Sequence, residues 1–488
     1  MAWVLGVVSL VLLAVRLFAA THVGFGDSEA LYACYALHPQ PAYLDHPGLV
    51  GTIARVVGGG SAPWPLAAHV VTSFAATAFP WAVALACRAS GASWSRALAA
   101  GVVVALVPEI AVGLFALTPD LPCALAWALC IAAAATALRA RPASAAATAA
   151  FAAAGLLAGI AAGSKVTGLT LLVALTAAYA APPARAHART VAPWAGLLAG
   201  LLVVAPVGLF EAHEGWPMLR HRLVDTQAGA GPSLRNVGAV IGGQLVYLSP
   251  LIAVLVVLAF REMWRGRTDA VGRLLLACTL VPLAVLLPLC LWSRVAEPHW
   301  IAPALLALVP AAARAPHVPS RRLVVASAAI GGLFVAGIHV AALTPLGVRL
   351  APASADPRLD LTNELYGWPR VVAAAREEAL AEWTPVTRPG DIAIVGPHWV
   401  VCAQLEAALR GAFPVGCNTP VYDDFDDWYP RTRWHDADVI VWVTDRRFGP
   451  PPELQHHVVL RSREVPIQRG GRVVRVFDVT VLVRRAAA

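Results

Sequence analysis

The chain has little charge. Asp, Glu, Lys and Arg together make up 14% of its 488 residues, while hydrophobic residues make up 58%. A soluble globular domain carries roughly 25% charged residues, so this composition excludes an ordinary soluble protein and predicts a chain solvated mainly by lipid. Runs that mix basic and aromatic residues are also absent, which excludes a nucleic acid as the partner.

Cysteine is sparse as well. The eight cysteines show neither Cys-x-x-Cys spacing nor a cluster with histidine, so nothing indicates a structural zinc site. Cys402 and Cys417 lie in the polar C-terminal part, and the sequence leaves open whether they form a disulfide. Five others lie in apolar runs, where a thiol acts as a small apolar side chain: Cys87, Cys123, Cys130, Cys278 and Cys290.

Long apolar runs are what the chain has in abundance. A helix needs roughly 20 apolar residues to cross a bilayer. We identify eleven such runs, at 2–20, 66–87, 97–115, 120–138, 144–162, 166–181, 191–210, 237–260, 271–292, 298–313 and 321–343. The first is not interpreted as a signal peptide, because many further runs follow it. The sequence therefore predicts a polytopic α-helical membrane protein with about 11 transmembrane helices.

The arginines predict the orientation of these helices. Alternate loops hold thirteen basic residues on one side and six on the other, and the richer side is cytoplasmic by the positive-inside rule. The net charge of +8 therefore reflects topology. This orientation places the N-terminus in the cytoplasm. The loops 21–65, 211–236 and 293–299, and everything after residue 343, are then extracytoplasmic.

The composition changes near Pro352, after which charged residues become common. Helical patterns at 359–382 and 400–409 alternate with strand patterns at 391–395, 438–443 and 472–483. Alternating helices and strands predict a small α/β domain. We therefore expect a transmembrane domain at 1–350 and a soluble extracytoplasmic domain at 351–488.

The loop 21–65 carries an unusual group of polar residues. Asp27-Ser28-Glu29-Ala30-Leu31-Tyr32 is followed by Tyr43-Leu44-Asp45-His46-Pro47. Carboxylates close to a membrane lose solvation energy, so their presence favours a chemical role. The structural alternative is that Asp27 or Ser28 caps a helix beginning near Glu29, but that explains nothing about Asp45 and His46.

Lys165 is the only lysine in a chain with 37 Lys and Arg residues. A compact ammonium at the end of an apolar run suits phosphate binding, and the alternative is a side chain that snorkels to the interface. Arg294 and His299 lie on the same predicted side, as additional phosphate contacts or as part of an interfacial belt. Asp120 follows Pro119 at a helix start, where it either caps the helix or contacts substrate.

These motifs resemble the polyprenyl-phosphate-sugar-dependent glycosyltransferases of the C class, which include protein O-mannosyltransferases and the lipid A aminoarabinose transferase. The resemblance rests on the two loop motifs and covers roughly residues 1–343. Three later segments agree with it in order: Thr118-Pro119-Asp120, Gly163-Ser164-Lys165 and Glu297-Pro298-His299-Trp300.

The resemblance implies transfer of a sugar from a lipid phosphate carrier to an acceptor, with an acid of the first loop as base. The commonest family pattern has two adjacent acids, whereas here Ser28 separates Asp27 from Glu29. We favour Asp27 as the base and Glu29 as its support, and the reverse assignment stays open. The residues expected to bind substrate are Tyr32, Tyr43, Asp45, His46, Asp120, Lys165, Arg294 and His299.

The chemistry requires few groups. The donor is already activated because phosphate is a good leaving group, so one carboxylate that accepts the acceptor's proton suffices for an inverting displacement. No cofactor is certain; a divalent metal is left open, with Asp45 and His46 as its candidate ligands. We expect a lipid or glycan acceptor rather than a protein, membrane lipid around the spans, and a location in the bacterial inner membrane.

Two other classes of function share many of these features. One is a multispan transporter or flippase, and the other is a non-catalytic subunit of envelope glycan assembly. A transporter carries polar residues near the middle of the bilayer, whereas the charges here gather near one predicted surface. That distribution favours the enzyme.

Overall fold

The structure is a computed structural model that describes residues 1–294, 297–317, 319–352, 354–384 and 391–485. Helices dominate it as far as residue 350. In chain order they are α1 (Ala2–Ala20), α2 (Asp27–Cys34), α3 (Leu49–Val57), α4 (Pro65–Ala89), α5 (Trp94–Ala105), α6 (Pro108–Ala111), α7 (Asp120–Arg139), α8 (Ala145–Ser164), α9 (Leu169–Ala180), α10 (Arg185–Ala188), α11 (Ala192–His213), α12 (Pro217–Leu223), α13 (Leu234–Tyr247), α14 (Pro250–Arg265), α15 (Ala270–Trp292), α16 (Ala302–Leu306), α17 (Leu308–Arg314), α18 (Arg321–Leu343) and α19 (Leu346–Leu350).

The predicted class, a multispan helical membrane protein with a C-terminal α/β domain, is confirmed. Within the described residues, seven helices are long and apolar enough to cross a membrane: α1, α4, α7, α8, α11, α15 and α18. Three bent pairs raise this number to ten if each pair is one span. The sequence predicted about 11.

The bent helix pairs explain part of the difference between the seven long apolar helices and the predicted 11 spans. The predicted spans 97–115, 166–181 and 237–260 each contain or adjoin a break, with bends of 75°, 73° and 106°. A proline begins the second helix of every pair: Pro108, Pro182 and Pro250. Proline lacks a backbone N–H and disfavours helical geometry in the preceding residue, so each run is interrupted there.

The predicted span 298–313 is not one continuous helix. It consists of a 3₁₀ turn at Pro298–Ile301 followed by the short helices α16 and α17. Pro298 and Pro303 both lie at the first positions of such segments, and neither residue can donate a helical hydrogen bond. This run therefore consists of short helical segments interrupted by proline.

The chain forms two compact units that do not follow a single cut in the sequence. One unit comprises Met1–Leu17, Pro41–Val50 and Val71–Gly337. The other comprises Phe18–Gln40, Gly51–Val70 and Ile338–Ala488, so it joins most of the predicted first loop to the C-terminal part. We call them the helical unit and the mixed unit. The domain division expected at 350/351 stays a prediction.

In the helical unit, glycines let α8 and α11 approach closely. Gly155 and Gly159 of α8 face Gly196 and Gly200 of α11, and each pair has the small-xxx-small spacing of closely packed membrane helices. A Cβ atom added at Gly155 would lie 1.7 Å from the carbonyl oxygen of Gly196. This packing positions Lys165, the residue that follows α8.

Arg16 lies inside α1, where a charge must find partners without water. Its guanidinium donates to the carbonyl oxygens of Ala111, at 2.9 and 3.0 Å, and of Ile110, at 3.3 Å. Both carbonyls belong to α6, whose last backbone oxygens lack helical partners. Arg16 therefore stabilises the end of this short helix.

The mixed unit contains a five-stranded sheet flanked by helices. Its strands are β1 (Ile392–Gly396), β2 (Val415–Cys417), β3 (Val439–Asp445), β4 (His457–Arg469) and β5 (Arg472–Arg484), in the order β2-β1-β3-β5-β4. Strand β1 pairs in parallel with β2 and β3, whereas β5 pairs antiparallel with β3 and β4. The C-terminal helices are α20 (Trp368–Ala381), α21 (Trp399–Leu409), α22 (Asp424–Trp428) and α23 (Arg431–His435).

The strand and helix patterns of this unit agree with the structure over β1, β3, β5 and α21. The pattern predicted at 359–382 corresponds to α20, preceded by 3₁₀ turns at Pro357–Leu359 and Leu361–Leu365. Cys402 and Cys417, whose disulfide the sequence left open, are thiols with Sγ atoms 2.7 Å apart.

Helix α2 packs on α21 within the mixed unit. The thiol of Cys34 donates to the carbonyl oxygen of Ala403 at 3.3 Å, and the amide of Gln404 donates to that of Phe25 at 2.8 Å. Residues from the two ends of the chain therefore share one core, and this packing fixes the start of α2, where the first acidic motif lies.

The close approach of α8 and α11 can be tested at Gly155. We expect Gly155→Ala to lower the free energy of unfolding by about 1–3 kcal/mol, because the added methyl group overpacks the helix contact. The matched control is Gly163→Ala in the same helix, where an added Cβ meets nothing within 4 Å. Unfolding of the purified protein in detergent measures both, and equal effects would contradict the packing.

Candidate active site

The segment 42–48 forms a tight turn in the helical unit. Ala42 and Pro47 form an isolated antiparallel bridge, and the N–H of Tyr43 donates to the carbonyl oxygen of His46 at 2.9 Å. The N–H of Gly48 donates to the carbonyl oxygen of Pro41 at 2.7 Å. Tyr43 is buried, so it supports the turn that carries Asp45 and His46.

Arg222 contacts both polar residues of this turn. Its Nε lies 3.3 Å from Oδ1 of Asp45, and its Nη2 lies 3.4 Å from Nε2 of His46. A guanidinium can only donate, so Nε2 of His46 is the accepting nitrogen. Arg222 belongs to α12 and is about one third exposed, which leaves its charge accessible to a ligand.

Lys165 and Asp120 form a second ion pair in the same unit. The ammonium Nζ lies 2.6 Å from Oδ1 of Asp120, with side-chain exposures of 6% for Lys165 and 35% for Asp120. Lys165 is therefore buried and does not extend to water as a snorkelling lysine would. Asp120 is the first residue of α7, where Pro119 is the N-cap, and its carboxylate pairs with Lys165.

Two histidines lie in the field of these cations. His299, in the turn Pro298–Ile301, interacts with Lys165, Asp120 and Arg222, and burial followed by Lys165 lowers its pKa to about 4. Burial also holds the pKa of His46 well below its usual value, and Arg222 and Lys165 add to the effect. Both imidazoles are neutral at pH 7, so the positive charge comes from Lys165 and Arg222.

An apolar groove lies beside this cluster. It contains about 1150 Å³ of empty space, part of it open to the surroundings. The groove has Glu109 among its lining residues, and Glu109 lies within electrostatic range of Asp120 and Lys165. The remaining lining is almost entirely aliphatic, from α5, α14, α16, α17 and their neighbours. A polar cluster that continues into an apolar groove suits a ligand with a charged head and a hydrocarbon tail.

Arg294 is not part of this cluster. It is exposed, its N–H donates to Oε1 of Gln227 at 3.0 Å, and its Nη1 donates to the carbonyl oxygen of Ala228 at 3.5 Å.

Among the described residues, no three His, Cys, Asp or Glu side chains are arranged to hold a metal ion. Asp45 and His46 stay candidate ligands on sequence alone.

The first acidic motif lies in the mixed unit, at the start of α2. The helix begins at Asp27, two residues earlier than the capping alternative required, and Gly26 is its N-cap. Both oxygens of Glu29 are engaged there. Oε2 accepts from the N–H of Gly26 at 2.9 Å, and Oε1 lies 3.0 Å from Nε2 of His69.

Asp27 has a different environment. Its Oδ2 lies 3.7 Å from Nη1 of Arg447, and its Oδ1 is buried without a hydrogen-bond partner among the described residues. Burial, followed by the charge of Glu364, raises the pKa of Asp27 to about 7, although Arg447 and Arg475 oppose this rise. A carboxylate that takes up a proton near pH 7 is suited to act as a general base.

Tyr32 lies in the same helix α2. Its side chain is buried, and its ring packs edge-to-face against Tyr35 with centroids 5.7 Å apart. The structure thus places Asp27, Glu29 and Tyr32 in the mixed unit, and Tyr43, Asp45, His46, Asp120, Lys165 and His299 in the helical unit.

Several residues of these sites were not identified from the sequence. Arg222 lies in the predicted loop 211–236, where several neighbouring residues are also charged and none stands out. Glu109 and His69 lie within apolar runs, and an ionisable residue in such a run was itself the signal that should have singled them out. The sequence around Arg447 contains no pattern that indicates a partner in the first loop.

One family model matches the chain. Residues 66–210 match the family described as dolichyl-phosphate-mannose-protein mannosyltransferase. No curated protein matches the chain in sequence. The matched range includes α7 and α8, and therefore both Asp120 and Lys165.

Solved structures match over nearly the whole chain. ArnT from Cupriavidus metallidurans bound to undecaprenyl phosphate is 16% identical, with a TM-score of 0.60 over 98% of this chain and 97% of that one. The apo state of the same protein is 15% identical, with a TM-score of 0.61 over 98% of this chain and 98% of that one. The oligosaccharyltransferase AglB from Archaeoglobus fulgidus, in complex with an inhibitory peptide and a dolichol-phosphate, is 12% identical. Its TM-score is 0.51 over 90% of this chain and 69% of that one.

The structural matches, at these low identities, establish the fold, and the family model covers residues 66–210, less than half of the chain. Both findings agree with the resemblance found in the motifs.

The ion pair of Lys165 and Asp120 can be tested by a double-mutant cycle. We expect Lys165→Met to lower the free energy of unfolding by about 2–4 kcal/mol, because it leaves the Asp120 carboxylate without its cation. Combining it with Asp120→Asn should recover a large part of the loss. Arg235→Met, at an exposed position, is the control with an effect below about 0.5 kcal/mol. Additive effects of the two substitutions would contradict the pairing.

Proposed function

We propose that this protein is an inverting glycosyltransferase that moves a sugar from a polyprenyl-phosphate donor to an acceptor. The acceptor oxygen attacks the anomeric carbon while the bond between that carbon and the phosphate oxygen breaks. The acceptor's proton passes to a carboxylate, and polyprenyl phosphate leaves. The observation that carries the proposal is the cluster of Lys165, Arg222, His46 and His299 beside an apolar groove.

The cluster suits the phosphate of the donor. A phosphodiester carries one negative charge, and a second develops as the sugar departs. Lys165 and Arg222 are placed to stabilise that developing charge, and positioned cations act strongly where water is scarce. The neutral imidazoles of His46 and His299 add N–H donors without adding charge, and Asp120 and Asp45 hold the two cations in place.

The groove suits the tail of the donor. Its lining is aliphatic except near its polar ends, at Glu109 and Arg96. Helix α5, which lines it, has 12 residues and is therefore about 18 Å long. This length accommodates several isoprene units. Undecaprenyl phosphate and dolichol-phosphate accompany ArnT and AglB in the matched structures, which supports a lipid phosphate as the donor here.

Asp27 is the proposed base. Its pKa near 7 balances the fraction of carboxylate present at neutral pH against the affinity for the proton. Glu29 is less suited because it already accepts from Gly26 and contacts His69. This supports the assignment of Asp27 as base and Glu29 as the residue that stabilises the start of α2.

The remaining expectations belong to the same proposal. Tyr32, Tyr43 and Arg294 are proposed to contact substrate. The acceptor is a lipid or a glycan rather than a protein, and the reaction takes place at the extracytoplasmic face of the bacterial inner membrane. The transmembrane domain 1–350 carries the donor site, and the domain 351–488 is extracytoplasmic. The bias of thirteen arginines to the opposite side supports this orientation.

The base is tested by Asp27→Asn. We expect transfer to fall by about 10²–10⁴-fold, because the amide cannot accept the proton, while expression and thermal unfolding stay close to the wild type. Transfer from a polyprenyl-phosphate sugar by the purified protein is the measurement. Glu29→Gln is the matched comparison and should retain more activity. An active Asp27→Asn with an inactive Glu29→Gln would reverse the two roles.

The donor site is tested by the affinity for undecaprenyl phosphate. Lys165→Ala should weaken binding about 10–100-fold, the effect of losing one charge-assisted hydrogen bond. The double variant Lys165→Ala with Asp120→Asn removes the unpaired carboxylate, and it should still bind weakly. Arg235→Gln is the control for overall charge. Wild-type affinity in the double variant would show that Lys165 has only a structural role.

A further inference from the structure

We propose that Arg447 and Glu364, from the C-terminal part of the chain, are positioning residues that hold the Asp27 carboxylate ready to accept the acceptor's proton. This inference rests on the proposed function, in which Asp27 is the base. Arg447 and Glu364 lie far from Asp27 in sequence but belong to the same compact unit. They act through Asp27 and are not assigned a contact with substrate.

Arg447 is held by two carboxylates other than Asp27. Its Nε donates to Oδ2 of Asp445 at 2.8 Å, and its N–H donates to Oδ1 of the same residue at 2.8 Å. Its Nη1 donates to Oε1 of Glu364 at 2.9 Å and lies only 3.7 Å from Oδ2 of Asp27. The guanidinium therefore stays close to Asp27 without forming a short hydrogen bond to it.

Asp445 is itself anchored by a second arginine. Nη2 of Arg475 donates to Oδ2 of Asp445 at 2.8 Å. The Arg475 guanidinium lies over the rings of Trp368 and Phe477, at 4.8 and 4.6 Å from their centroids. These contacts fix Asp445 at the end of β3, and Asp445 in turn fixes Arg447.

The charges facing Asp27 within this unit come from three elements. Glu364 lies in the turn Leu361–Leu365, Asp445 and Arg447 lie at the end of β3, and Arg475 lies in β5. With Asp27 ionised, three carboxylates face two guanidinium groups. Asp27 is the carboxylate with the longest contact to a cation, so it is the one that most readily takes up a proton.

This arrangement has a chemical consequence. A close ion pair with Arg447 would lower the pKa of Asp27, and the carboxylate would then be a weaker base. Glu364 and Asp445 compete for the same guanidinium and prevent that pairing. Removing either partner should therefore change the basicity of Asp27 in a predictable direction.

The experiment compares the pH dependence of kcat/KM for the wild type, Arg447→Gln and Glu364→Gln in the full-length protein. Asp27 acts as carboxylate, so activity rises with pH through its pKa. Loss of Arg447 removes a cation and leaves Glu364 unpaired. This should shift the acidic limb of the kcat/KM profile to higher pH by about one pH unit. Loss of Glu364 frees Arg447 to pair with Asp27, which should move the limb down by a similar amount.

Two further variants separate this effect from damage to the fold. Arg446→Gln is the matched control, because Arg446 pairs with Glu464 at 2.9 Å and both side chains are exposed, and its acidic limb should not move. Arg447→Lys keeps the positive charge and should bring the limb back towards the wild type. Should Arg447→Gln fail to fold, a downward shift in Glu364→Gln, against an unmoved limb in Arg446→Gln, still tests the inference.

Opposite shifts would support the inference, because a general loss of stability cannot move the limb in two directions. An unmoved limb, or shifts of the same sign, would overturn it. Asp27→Asn, measured in the same assay, distinguishes failure of the base assignment from failure of the positioning role. If that variant stays active, the assignment of the base fails. If it is inactive while the limbs do not move, only the positioning role fails.

Discussion

Every charge in the helical unit that is removed from water has to find a partner, and this constraint determines the candidate donor site. Lys165 is paired with Asp120, Arg222 with Asp45, and Arg16 with backbone carbonyl oxygens. An unpaired ion in such an environment costs several kcal/mol, so each pairing fixes the position of a functional side chain. The cluster is close to electroneutral when empty, yet it presents two cations and two neutral imidazoles to an incoming anion.

In the mixed unit, the surroundings of Asp27 preserve the affinity of a carboxylate for a proton. A group that binds phosphate works best as a fixed cation, whereas a base has to keep its affinity for a proton. Asp27 is buried and has one oxygen with no hydrogen-bond partner among the described residues, and its nearest cation is held by Asp445 and Glu364. Glu29, two residues further on, is fully engaged in the start of α2. Two acids of one motif therefore have different properties because their surroundings differ.

Much of the fold could be predicted from the pattern of apolar residues. The α/β pattern of the C-terminal part identified β1, β3, β5 and α21, but it missed β2, which has three residues, and β4. Most predicted spans correspond to single helices, because about 20 apolar residues can do little else in a membrane. The exceptions are the runs 97–115, 166–181 and 237–260, which contain or adjoin a break at Pro108, Pro182 and Pro250, and the run 298–313. A hydropathy pattern cannot distinguish such a bent pair from a straight helix, since both are equally apolar.

The sequence by itself determined that this protein is solvated by lipid, that two polar motifs follow its first apolar helix, and that these motifs resemble those of C-class glycosyltransferases. It also singled out Lys165 and Asp120. Only the tertiary structure decided that these two form one ion pair, that Arg222 contacts Asp45 and His46, and that Arg447 lies near Asp27. Electrostatic interactions depend on distance in space, and separation along the chain carries almost no information about that distance.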